Sequence, residues 1–376
     1  MIVIITYENY NESSPGAIRN KSFVNILDKM GYMLIVFHKG VYSSDRRIVV
    51  KSLYHRNKYF KILLFARKVI KYLNDLNTEG TLDGVIMYSA GALHNEIAIR
   101  NWCIKHNIPI IFDVVEWYSK EQFKYGSLDI RYISKQLENA WLINQSCRII
   151  SISNYLYEYF KRKGIKTVRI PIIADRNNLV EVSSLKAYSL RTIIYAGSHF
   201  KMDNVLLVIK SLSLIPIEKQ KCIRFQVYGF SEDRVRKEVG LDLWSRTKHM
   251  VFAYGRRPNT EILKAYAESD FTILFRDPSC RVNQAGFPSK VIESMSKGVP
   301  ILCNYSSDLN EFLVNGINSI ITKDLSVAAI VESLERIINM TDEEVIGMKT
   351  NAINTINEKF MDTSFMDKFN EILERV

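Results

Sequence analysis

The chain has 376 residues and a mass of 43.6 kDa, a size typical of two domains. Its composition, with 47% hydrophobic and 24% charged residues, is that of a globular protein and excludes a mainly disordered, collagen-like or linker-like chain. The formal net charge is +11. No apolar stretch is long enough to span a membrane, and the N-terminus lacks the basic region of a secretory signal. Five scattered cysteines indicate reduced thiols in a cytoplasmic protein.

Short apolar runs alternate with helical patterns through the first half of the chain. The predicted strands are Ile2–Thr6, Met33–His38, Gly84–Tyr88, Ile108–Val114, Cys147–Ile152 and Thr167–Ile170. The predicted helices are Lys21–Met30, His94–His106, Ile130–Ser146 and Asn154–Lys163. Strands that alternate with helices of this length predict βαβ units and a parallel sheet.

Most of the excess positive charge lies in residues 46–74, which contain nine basic residues and no acidic one. A helical pattern places Tyr59, Ile62, Leu63, Ala66, Val69, Ile70 and Leu73 on one face and Lys61, Arg67, Lys68 and Lys71 on the opposite face. Phe60, Leu64 and Phe65 fall outside the apolar face. Apolar residues among lysines favour docking on an anionic membrane surface. The alternative is a solvated helix whose extra aromatic residues pack under a loop; a nucleic-acid partner is not expected, because no binding motif accompanies the charge.

A second alternation of strands and helices follows a linker-like stretch. The strands are Thr192–Ala196, Ile223–Tyr228, Val251–Tyr254, Phe271–Phe275 and Pro300–Asn304, and the helices are Asp203–Leu214, Arg234–Val239, Thr260–Ser269, Ser289–Lys297, Leu309–Asn315 and Leu325–Asn339. The pattern predicts two doubly wound, Rossmann-like α/β domains at residues 1–172 and 190–358, joined by a linker at 173–189. We expect the last helix, within residues 359–376, to cross back to the first domain.

The stretch NQAGFPSKVIESMSKGVP, residues 283–300, has the chemistry of a phosphate-binding turn. Pro288 and Ser289 suit a helix start, with Ser289 as the N-cap. The helix N-terminus presents free N–H groups to an anion, and Lys290 adds a full charge. Glu293, one turn further on, is placed to accept hydrogen bonds from a ribose diol. The stretch therefore predicts a site for a nucleoside diphosphate.

This stretch resembles the donor-binding signature of GT-B-fold glycosyltransferases of the retaining family-4 type (glycosyltransferase group 1). The usual pattern is Glu, seven residues, Glu, a helix and a Gly-x-Pro turn. The second Glu falls on Glu293, but the first falls on Ala285, which puts the contacts to the transferred sugar in doubt. Some relatives read Asn-x-x-Gly-x-Pro-Ser-Lys-x-x-Glu, and this chain matches that variant at Asn283, Gly286, Pro288, Ser289, Lys290 and Glu293. The resemblance implies that this turn, with Ala285 and Phe287, binds the donor.

The resemblance also assigns expected roles to loops that follow other strands. The turn at Gly197 and Ser198, with Lys201 as a cation, is expected at the donor diphosphate, although Ser198 replaces the usual Arg. Gly229 and Arg256 fall in loops that hold the nucleobase. In the first domain, Gly16 lies in a glycine loop that faces the donor phosphates in relatives.

Candidate acceptor-side residues lie in the first domain. Arg19 follows the Gly16 loop and is expected to reach an acceptor phosphate. Asp113 and Glu116 follow a buried strand, and His94 follows another. Relatives often place a His near Val115, which this chain lacks.

The implied activity is that of a retaining glycosyltransferase of the hexosyltransferase type, with Lys290, Lys201 and Glu293 as catalytic residues. It would move a sugar from a UDP- or GDP-sugar to a hydroxyl of a glycan or lipid-linked acceptor in cell-surface polysaccharide biosynthesis, on the inner face of the membrane. No cofactor is expected, and no metal, because no Asp-x-Asp pair follows a strand. The alternatives are a sugar-nucleotide epimerase of the same fold and a non-catalytic nucleotide-sugar-binding scaffold. The nucleotide, the sugar, the acceptor and the oligomeric state stay open.

Overall fold

The computed structural model describes residues 1–12, 14–39, 43–44, 48–52, 62–187 and 190–374. The chain divides into two compact units. The first contains Met1–Ile173, Cys280–Phe287 and Asp362–Val376, and the second contains Ala174–Ser279 and Pro288–Met361. The expected domain bounds stay a prediction; the observed division differs from them most at residues 280–287, which group with the first unit.

The first unit is built on one sheet with strands β1 to β8. Their bounds are Ile2–Ile5, Leu34–His38, Ser43–Ser44, Ile48–Ser52, Gly84–Met87, Ile110–Val114, Arg148–Ser151 and Lys166–Arg169. The order across the sheet is β3-β4-β2-β1-β5-β6-β7-β8, and every pairing except β3 with β4 is parallel. Strand β1 is fully buried at the centre, where Ile2 pairs with Leu34 on one side and Gly84 on the other.

Among the described residues, five helices follow the strands of this sheet. They are α1 (Pro15–Lys29), α2 (Phe65–Thr78), α3 (Leu93–Lys105), α4 (Ile130–Leu137) and α5 (Asn154–Arg162). Ser14 and Ser153 cap α1 and α5 by accepting a backbone N–H with their hydroxyls. The predicted helix over Ile130–Ser146 is shorter than expected: α4 ends at Leu137 and a π-helical turn continues from Glu138 to Leu142.

The basic segment differs from its predicted pattern. Strand β4 occupies Ile48–Ser52, α2 begins at Phe65, and residues 45–47 and 53–61, with Tyr59, Phe60 and Lys61 among them, lie outside the described residues. Phe65 is 1% exposed and its ring meets that of Tyr7 edge to face, whereas Leu63 is 60% exposed. The expected outward position of Phe65 and inward position of Leu63 are therefore wrong, because α2 begins only at Phe65, with Leu64 outside the helical conformation.

The second unit has a wholly parallel sheet of six strands. Strands β9 to β14 span Arg191–Ala196, Ile223–Tyr228, Val251–Gly255, Phe271–Leu274, Ile301–Cys303 and Ser319–Ile321, in the order β11-β10-β9-β12-β13-β14. The chain winds outward from β9 to β11 and then returns to the other side of β9 with β12. Such a switch point leaves room at the carboxyl ends of the two central strands.

Helices cover this second sheet and close the chain. They are α6 (Val205–Leu212), α7 (Ile217–Gln220), α8 (Glu232–Val239), α9 (Leu241–Thr247), α10 (Asn259–Ala267), α12 (Ser289–Ser296), α13 (Val327–Asn339) and α14 (Asp342–Lys359), while α11 (Arg281–Ala285) groups with the first unit. Instead of the predicted helix at Leu309–Asn315, a single 3₁₀ turn spans Leu309–Glu311.

The last helix, α15 (Met366–Leu373), belongs to the first unit, as the fold prediction expected. Phe369 and Ile372 are fully buried in the core of that unit, and the Arg148 guanidinium donates to the Ile372 carbonyl at 2.7 Å. The two doubly wound sheets predicted from the sequence are thereby confirmed, together with the return of the C-terminal helix to the first one.

Candidate functional site

Three glycine turns meet at the carboxyl ends of β9, β10 and β11 in the second unit. The Gly229 N–H donates to the Gly255 carbonyl at 2.7 Å, and the Gly197 N–H donates to the Tyr228 carbonyl at 3.2 Å. Gly229 has φ +100°, and a Cβ there would lie 2.0 Å from the Gly197 carbonyl oxygen. Only glycine fits this contact. Gly197 and Gly229, both predicted as donor-site residues, therefore lie in contact and form a backbone surface without side chains, which we call the glycine floor.

The Lys290 side chain lies directly over this floor. A Cβ on Gly197 would be 2.4 Å from Lys290 Nζ, so the absence of a side chain at 197 is what gives the ammonium its place. Lys290 Nζ forms an ion pair with the Asp203 carboxylate and lies 4.5 Å from the centre of the Tyr195 ring. The lysine predicted to bind phosphate is thus held by a carboxylate that the sequence analysis did not assign.

Asp203 is the centre of a buried charged cluster. Its carboxylate is fully buried and accepts hydrogen bonds from the Tyr195 hydroxyl at 2.9 Å and from Arg276 Nε at 3.0 Å, besides the Lys290 contact. Gly197 follows β9 and Arg276 follows β12, which are the strands on either side of the switch point. Two cations share one anion, so the cluster of Asp203, Arg276 and Lys290 carries one net positive charge.

The pKa shifts in this cluster follow from burial and pairing. Burial by itself raises the pKa of Asp203, but Lys290 and Arg276 outweigh it and hold that pKa below its ordinary value. Burial lowers the pKa of Lys290, and the Asp203 carboxylate only partly opposes this effect. The site therefore holds a partly desolvated ammonium, whose field is screened less than that of a surface lysine.

Helix α12 begins at the predicted turn, with one difference. Pro288 occupies the N-cap position, and Ser289 is the first helical residue rather than the N-cap. The Ser289 side chain acts on Glu293 and lowers the pKa of its carboxyl. Pro288 supplies no side-chain acceptor, and within the first turn the Val291 N–H donates to the Pro288 carbonyl at 3.2 Å. N–H groups at a helix N-terminus, with a cation such as Lys290 in the first turn, are what an anion site requires.

Glu293 lies one turn along α12 and is half-buried. Burial raises the pKa of its carboxyl, and the hydrogen bond from Ser289 and the charge of Lys290 only partly oppose this rise. A half-buried carboxylate beside one serine has acceptor sites for two further hydroxyl donors. This arrangement agrees with the expected ribose contact.

The other predicted donor residues of this unit lie at the surface. Ser198, Lys201 and Arg256 are exposed, and Ser198 is within hydrogen-bonding distance of the neighbouring His199 ring. The structure also shows a feature that the sequence analysis missed: the rings of Tyr228 and Tyr254 stack in parallel, 4.7 Å apart, at the ends of β10 and β11. A flat aromatic pair of this kind can extend its stack by one planar base.

The first half of the predicted donor turn groups with the first unit. Ala285 is fully buried and its carbonyl accepts from the Ser153 hydroxyl at 2.7 Å. Arg281 donates to the Tyr118 carbonyl, and the Val282 N–H donates to the Ser119 hydroxyl. Asn283 and Phe287 are also buried. Because Ala285 is fully buried, a Glu at that position would require repacking of its surroundings.

Arg19 and Asp113 form a buried ion pair in the first unit. Two hydrogen bonds of 2.7 Å join the Arg19 guanidinium to the Asp113 carboxylate, and Arg19 also donates to the carbonyls of Ile170 and Pro171. Both side chains are almost fully buried. This pairing argues against the expected contact of Arg19 with an acceptor phosphate and assigns both residues to holding α1 on the sheet.

The Gly16 turn is also filled by the first unit's own side chains. A Cβ at Gly16 would lie 2.7 Å from the Tyr88 hydroxyl and 2.9 Å from Glu8 Cγ. The Ser14 hydroxyl donates to the Glu8 carboxylate at 3.1 Å and accepts the Ala17 N–H. A carboxylate beside a capped helix N-terminus disfavours a phosphate there. The structure thus gives no support to the expected role of Gly16.

The two remaining acceptor-side candidates, His94 and Glu116, differ in their exposure to solvent. His94 is exposed in the first turn of α3, while Glu116 is half-buried and accepts a hydrogen bond from Tyr118. The sequence analysis missed Glu96, which is buried two residues after His94. Burial and the nearby Glu138 carboxylate raise the pKa of Glu96 to about 8, against the opposing effects of Lys135 and of the Ala90 N–H. In the sequence, the position of Glu96 in the first helical turn after a strand is the only signal that indicates a candidate functional residue.

Two further observations concern metals and membranes. Within the residues that the structure describes, no group of three or more His, Cys, Asp or Glu side chains is arranged to hold a metal ion. Among the helices of the same residues, none combines the length and the apolar character needed to cross a bilayer.

The comparisons with known proteins agree with this geometry. Residues 181–355 match the family model described as "Glycosyl transferases group 1", and no curated protein sequence matches the chain at a significant level. The fold resembles WaaG, a glycosyltransferase involved in lipopolysaccharide biosynthesis, with 12% identity and a TM-score of 0.68 over 100% of both chains.

Two other solved structures are similar over nearly their whole length. Anabaena HepE in complex with UDP and glucose has 13% identity and a TM-score of 0.65, with 99% of this chain and 98% of that one covered. Sucrose-phosphate synthase from Thermosynechococcus elongatus has 13% identity and a TM-score of 0.69, with 99% and 97% covered. At these identities the likeness shows the fold alone, and that fold is GT-B.

Proposed function

We propose that this chain is a retaining glycosyltransferase that moves a sugar from a UDP- or GDP-sugar to a hydroxyl of a glycan or lipid-linked acceptor. The observation that carries the proposal is the position of Lys290, held by Asp203 over the bare backbone of Gly197 at the start of α12. The match of residues 181–355 to the group 1 glycosyltransferases supports it, since this is the part of the chain that contains the site.

The donor diphosphate would bind at the N-terminus of α12. Lys290 and Arg276 leave their cluster with Asp203 one net positive charge, and the first-turn N–H groups add aligned dipoles. Breaking the anomeric C–O bond leaves its electron pair on the β-phosphate. The cluster is already in place when that charge develops, so little reorganisation is needed, and this is how such a site lowers a barrier.

Glu293 would hold the ribose of the same nucleotide. Its carboxylate lies on α12, about one helical turn from the proposed diphosphate-binding end. The stacked rings of Tyr228 and Tyr254 lie in the same unit and offer a flat apolar surface for the base. Lys201, which is exposed, is free to approach the diphosphate from solvent.

In the proposed reaction the acceptor oxygen forms the new bond to the anomeric carbon on the face that the diphosphate leaves. The acceptor proton passes to the leaving phosphate oxygen, so that charge and atoms balance without a protein base. Configuration is then retained. The chemistry proposed for the protein is binding, orientation and charge stabilisation by Lys290, Arg276 and the α12 N-terminus, without a metal ion.

We also propose that the protein works on the inner, cytoplasmic face of a membrane in cell-surface polysaccharide synthesis. The basic segment 46–74 supports an anionic membrane as partner, and of its described residues Arg67 and Lys71 are exposed on α2. Flotation with anionic vesicles at low salt tests this part, and no binding would remove it.

Turnover with a panel of nucleotide sugars tests the function itself, with and without glycan acceptors. Product that requires an acceptor supports the transferase. An isomerised donor without an acceptor would show an epimerase instead. Binding without any turnover would favour a scaffold protein, for which the buried Ala285 in place of the first Glu is the specific argument.

A further inference from the structure

One helix of the first unit has its apolar side outward. Leu128, Ile130 and Trp141 are 81%, 74% and 65% exposed, and Ile133 and Leu137 are also exposed. Ile130, Ile133, Leu137 and Trp141 are separated by three or four residues, so they share one side of α4 and of the π-helical turn that follows it. We call these four residues with Leu128 the α4 outer face. The polar side of a surface helix normally faces water.

The inward side of the same helix is polar and firmly held. The Gln136 amide oxygen accepts from the Trp117 indole N–H at 2.8 Å, and Lys135 forms an ion pair with Glu138 at 2.9 Å. Both members of that pair are mostly buried, and Asn139 is fully buried. Turning the helix to bury its apolar side would expose or break these contacts. The outward position of the apolar residues is therefore built into the packing.

The surroundings of this face favour a lipid surface as its occupant. In residues 120–141, all of which the structure describes, the exposed charged residues are Lys120, Lys124, Arg131 and one acid, Glu121. Tyr125, 66% exposed, and Trp141 flank the aliphatic residues. Aromatic residues beside aliphatic ones, with basic residues at the edge, are the composition of segments that lie in the membrane interface.

The topology adds a second argument for a membrane. Helices α2, α3 and α4 connect strands that follow one another in the same direction across the sheet, from β4 to β7. Right-handed crossovers therefore place all three on one face. Arg67 and Lys71 are exposed on α2, in the same layer as the α4 outer face. A bilayer that is apolar inside and anionic at its surface matches both features.

We propose that the α4 outer face inserts into the interfacial region of an anionic lipid bilayer. This inference deepens the proposed function, because it would bring the acceptor-side unit of the enzyme to the place where a lipid-linked acceptor lies. It stands on residues that take no part in the donor site.

Vesicle flotation of the full chain tests the insertion. The vesicles contain phosphatidylcholine with about 30% phosphatidylglycerol, so that charge and apolar contact both act. The test variant is Ile133→Ser with Leu137→Ser. The matched control is Ile217→Ser with Leu241→Ser, which changes two exposed apolar residues of the second unit, 84% and 75% exposed. We expect the test variant to bind about tenfold less protein to vesicles and the control to bind as the wild type does.

Salt separates insertion from attraction by the basic segment. At about 1 M salt the screening length falls to about 3 Å, so purely electrostatic binding should vanish. Part of the wild-type binding should survive, and that part should be missing in the Ile133→Ser, Leu137→Ser variant. Equal flotation of that variant and the wild type in high salt would overturn the proposal.

Trp141 provides a direct optical signal of insertion. All four tryptophans lie within the described residues, and Trp102, Trp117 and Trp244 are buried. Vesicles should shift the emission to the blue and protect it from iodide, and Trp141→Phe should remove this response while flotation persists. Protection of the Trp141 emission from iodide could instead appear without lipid, as the protein concentration rises, together with a dimer in sedimentation. That result would show that a second copy of the chain covers the α4 outer face and that the lipid proposal is wrong.

The nucleotide affinity of the test variant keeps this inference separate from the donor site. The variant should bind nucleotide as the wild type does. A wild type that binds no nucleotide sugar but inserts Trp141 into vesicles would end the proposed function and leave this inference standing.

Discussion

The two units carry opposite chemistry at the same topological position. In the second unit, the switch point between β9 and β12 holds the bare backbone of Gly197 and two cations that share one carboxylate. In the first unit, the equivalent point between β1 and β5 is filled by Tyr88 and Glu8 around Gly16. The same topology thus holds a positively charged cluster in one unit and a turn filled by Tyr88 and Glu8 in the other.

This difference teaches that the parallel-sheet topology offers a site but does not determine its ligand. Lys290 and the α12 N-terminus would favour a phosphate, while the capped α1 N-terminus beside Glu8 would disfavour one. Carboxylates such as Glu116 are suited to accept hydrogen bonds from sugar hydroxyls. The donor would therefore take its charge contacts mainly from the second unit. Four predictions test this comparison, from the largest expected effect to the smallest.

Loss of the Lys290 charge should have the largest effect. We expect Lys290→Ala to reduce kcat by a factor equivalent to about 2–4 kcal/mol, because it removes stabilisation of the leaving diphosphate. The matched control is Lys264→Ala, which removes an exposed lysine of the same unit. Steady-state kinetics measures both. A Lys290→Ala rate within threefold of the wild type would remove the assigned role.

Adding a side chain at Gly229, in the glycine floor, should destabilise the second unit. In Gly229→Ala the new Cβ would meet the Gly197 carbonyl oxygen at 2.0 Å, and the residue would keep φ +100°. We expect a loss of about 3 kcal/mol in the free energy of unfolding. Gly240→Ala is the control, since Gly240 has φ +84° with nothing within 4 Å of the added Cβ. Equal losses in urea unfolding would show that the close approach at 229 costs nothing.

Removal of the Glu293 charge should weaken nucleotide binding by about tenfold, the effect of losing hydrogen bonds to a charged acceptor. Burial raises the pKa of this carboxyl, so protonation begins at a higher pH than for an ordinary Glu. Wild-type affinity should therefore fall as the pH decreases through mildly acidic values, and Glu293→Gln should show no such fall. Calorimetry at several pH values measures the nucleotide affinity of both proteins. A wild-type affinity that does not change with pH would contradict the ribose contact.

The smallest effect concerns Glu96 in the first unit. Its pKa is raised from an ordinary 4.5 to about 8, so the folded protein binds more protons than the unfolded chain between these values. The Glu96 contribution to the free energy of unfolding therefore falls as the pH rises through this window. Glu96→Gln should gain a few degrees in Tm relative to the wild type at pH 8 and much less at pH 5. A Tm difference that does not change with pH would show that Glu96 is not desolvated.

The sequence predicted the fold well because buried parallel strands leave a strong signal. The apolar run at residues 2–5 and the stretch NQAGFPSKVIE each depend on local pattern, and both were predicted near their observed places. Asp203 was missed because its importance comes from Lys290 and Arg276, which are more than 70 residues away in the chain.

The errors have the same origin. Arg19 seemed available to a ligand until the fold placed it beside Asp113, 94 residues further along. Phe65 seemed outward because the helix was assumed to start earlier than it does. The inverted polarity of α4 could not be read from its pattern, because an amphipathic sequence does not say which of its two sides the core will cover.

A crystal structure with the nucleotide sugar that binds best is the most direct test of the donor site. The account predicts the two phosphates at the first turn of α12, in contact with Lys290, and the ribose hydroxyls on the Glu293 carboxylate. A nucleotide bound elsewhere in the chain, with the Lys290–Asp203 pair untouched and Glu293 without a ligand, would contradict it.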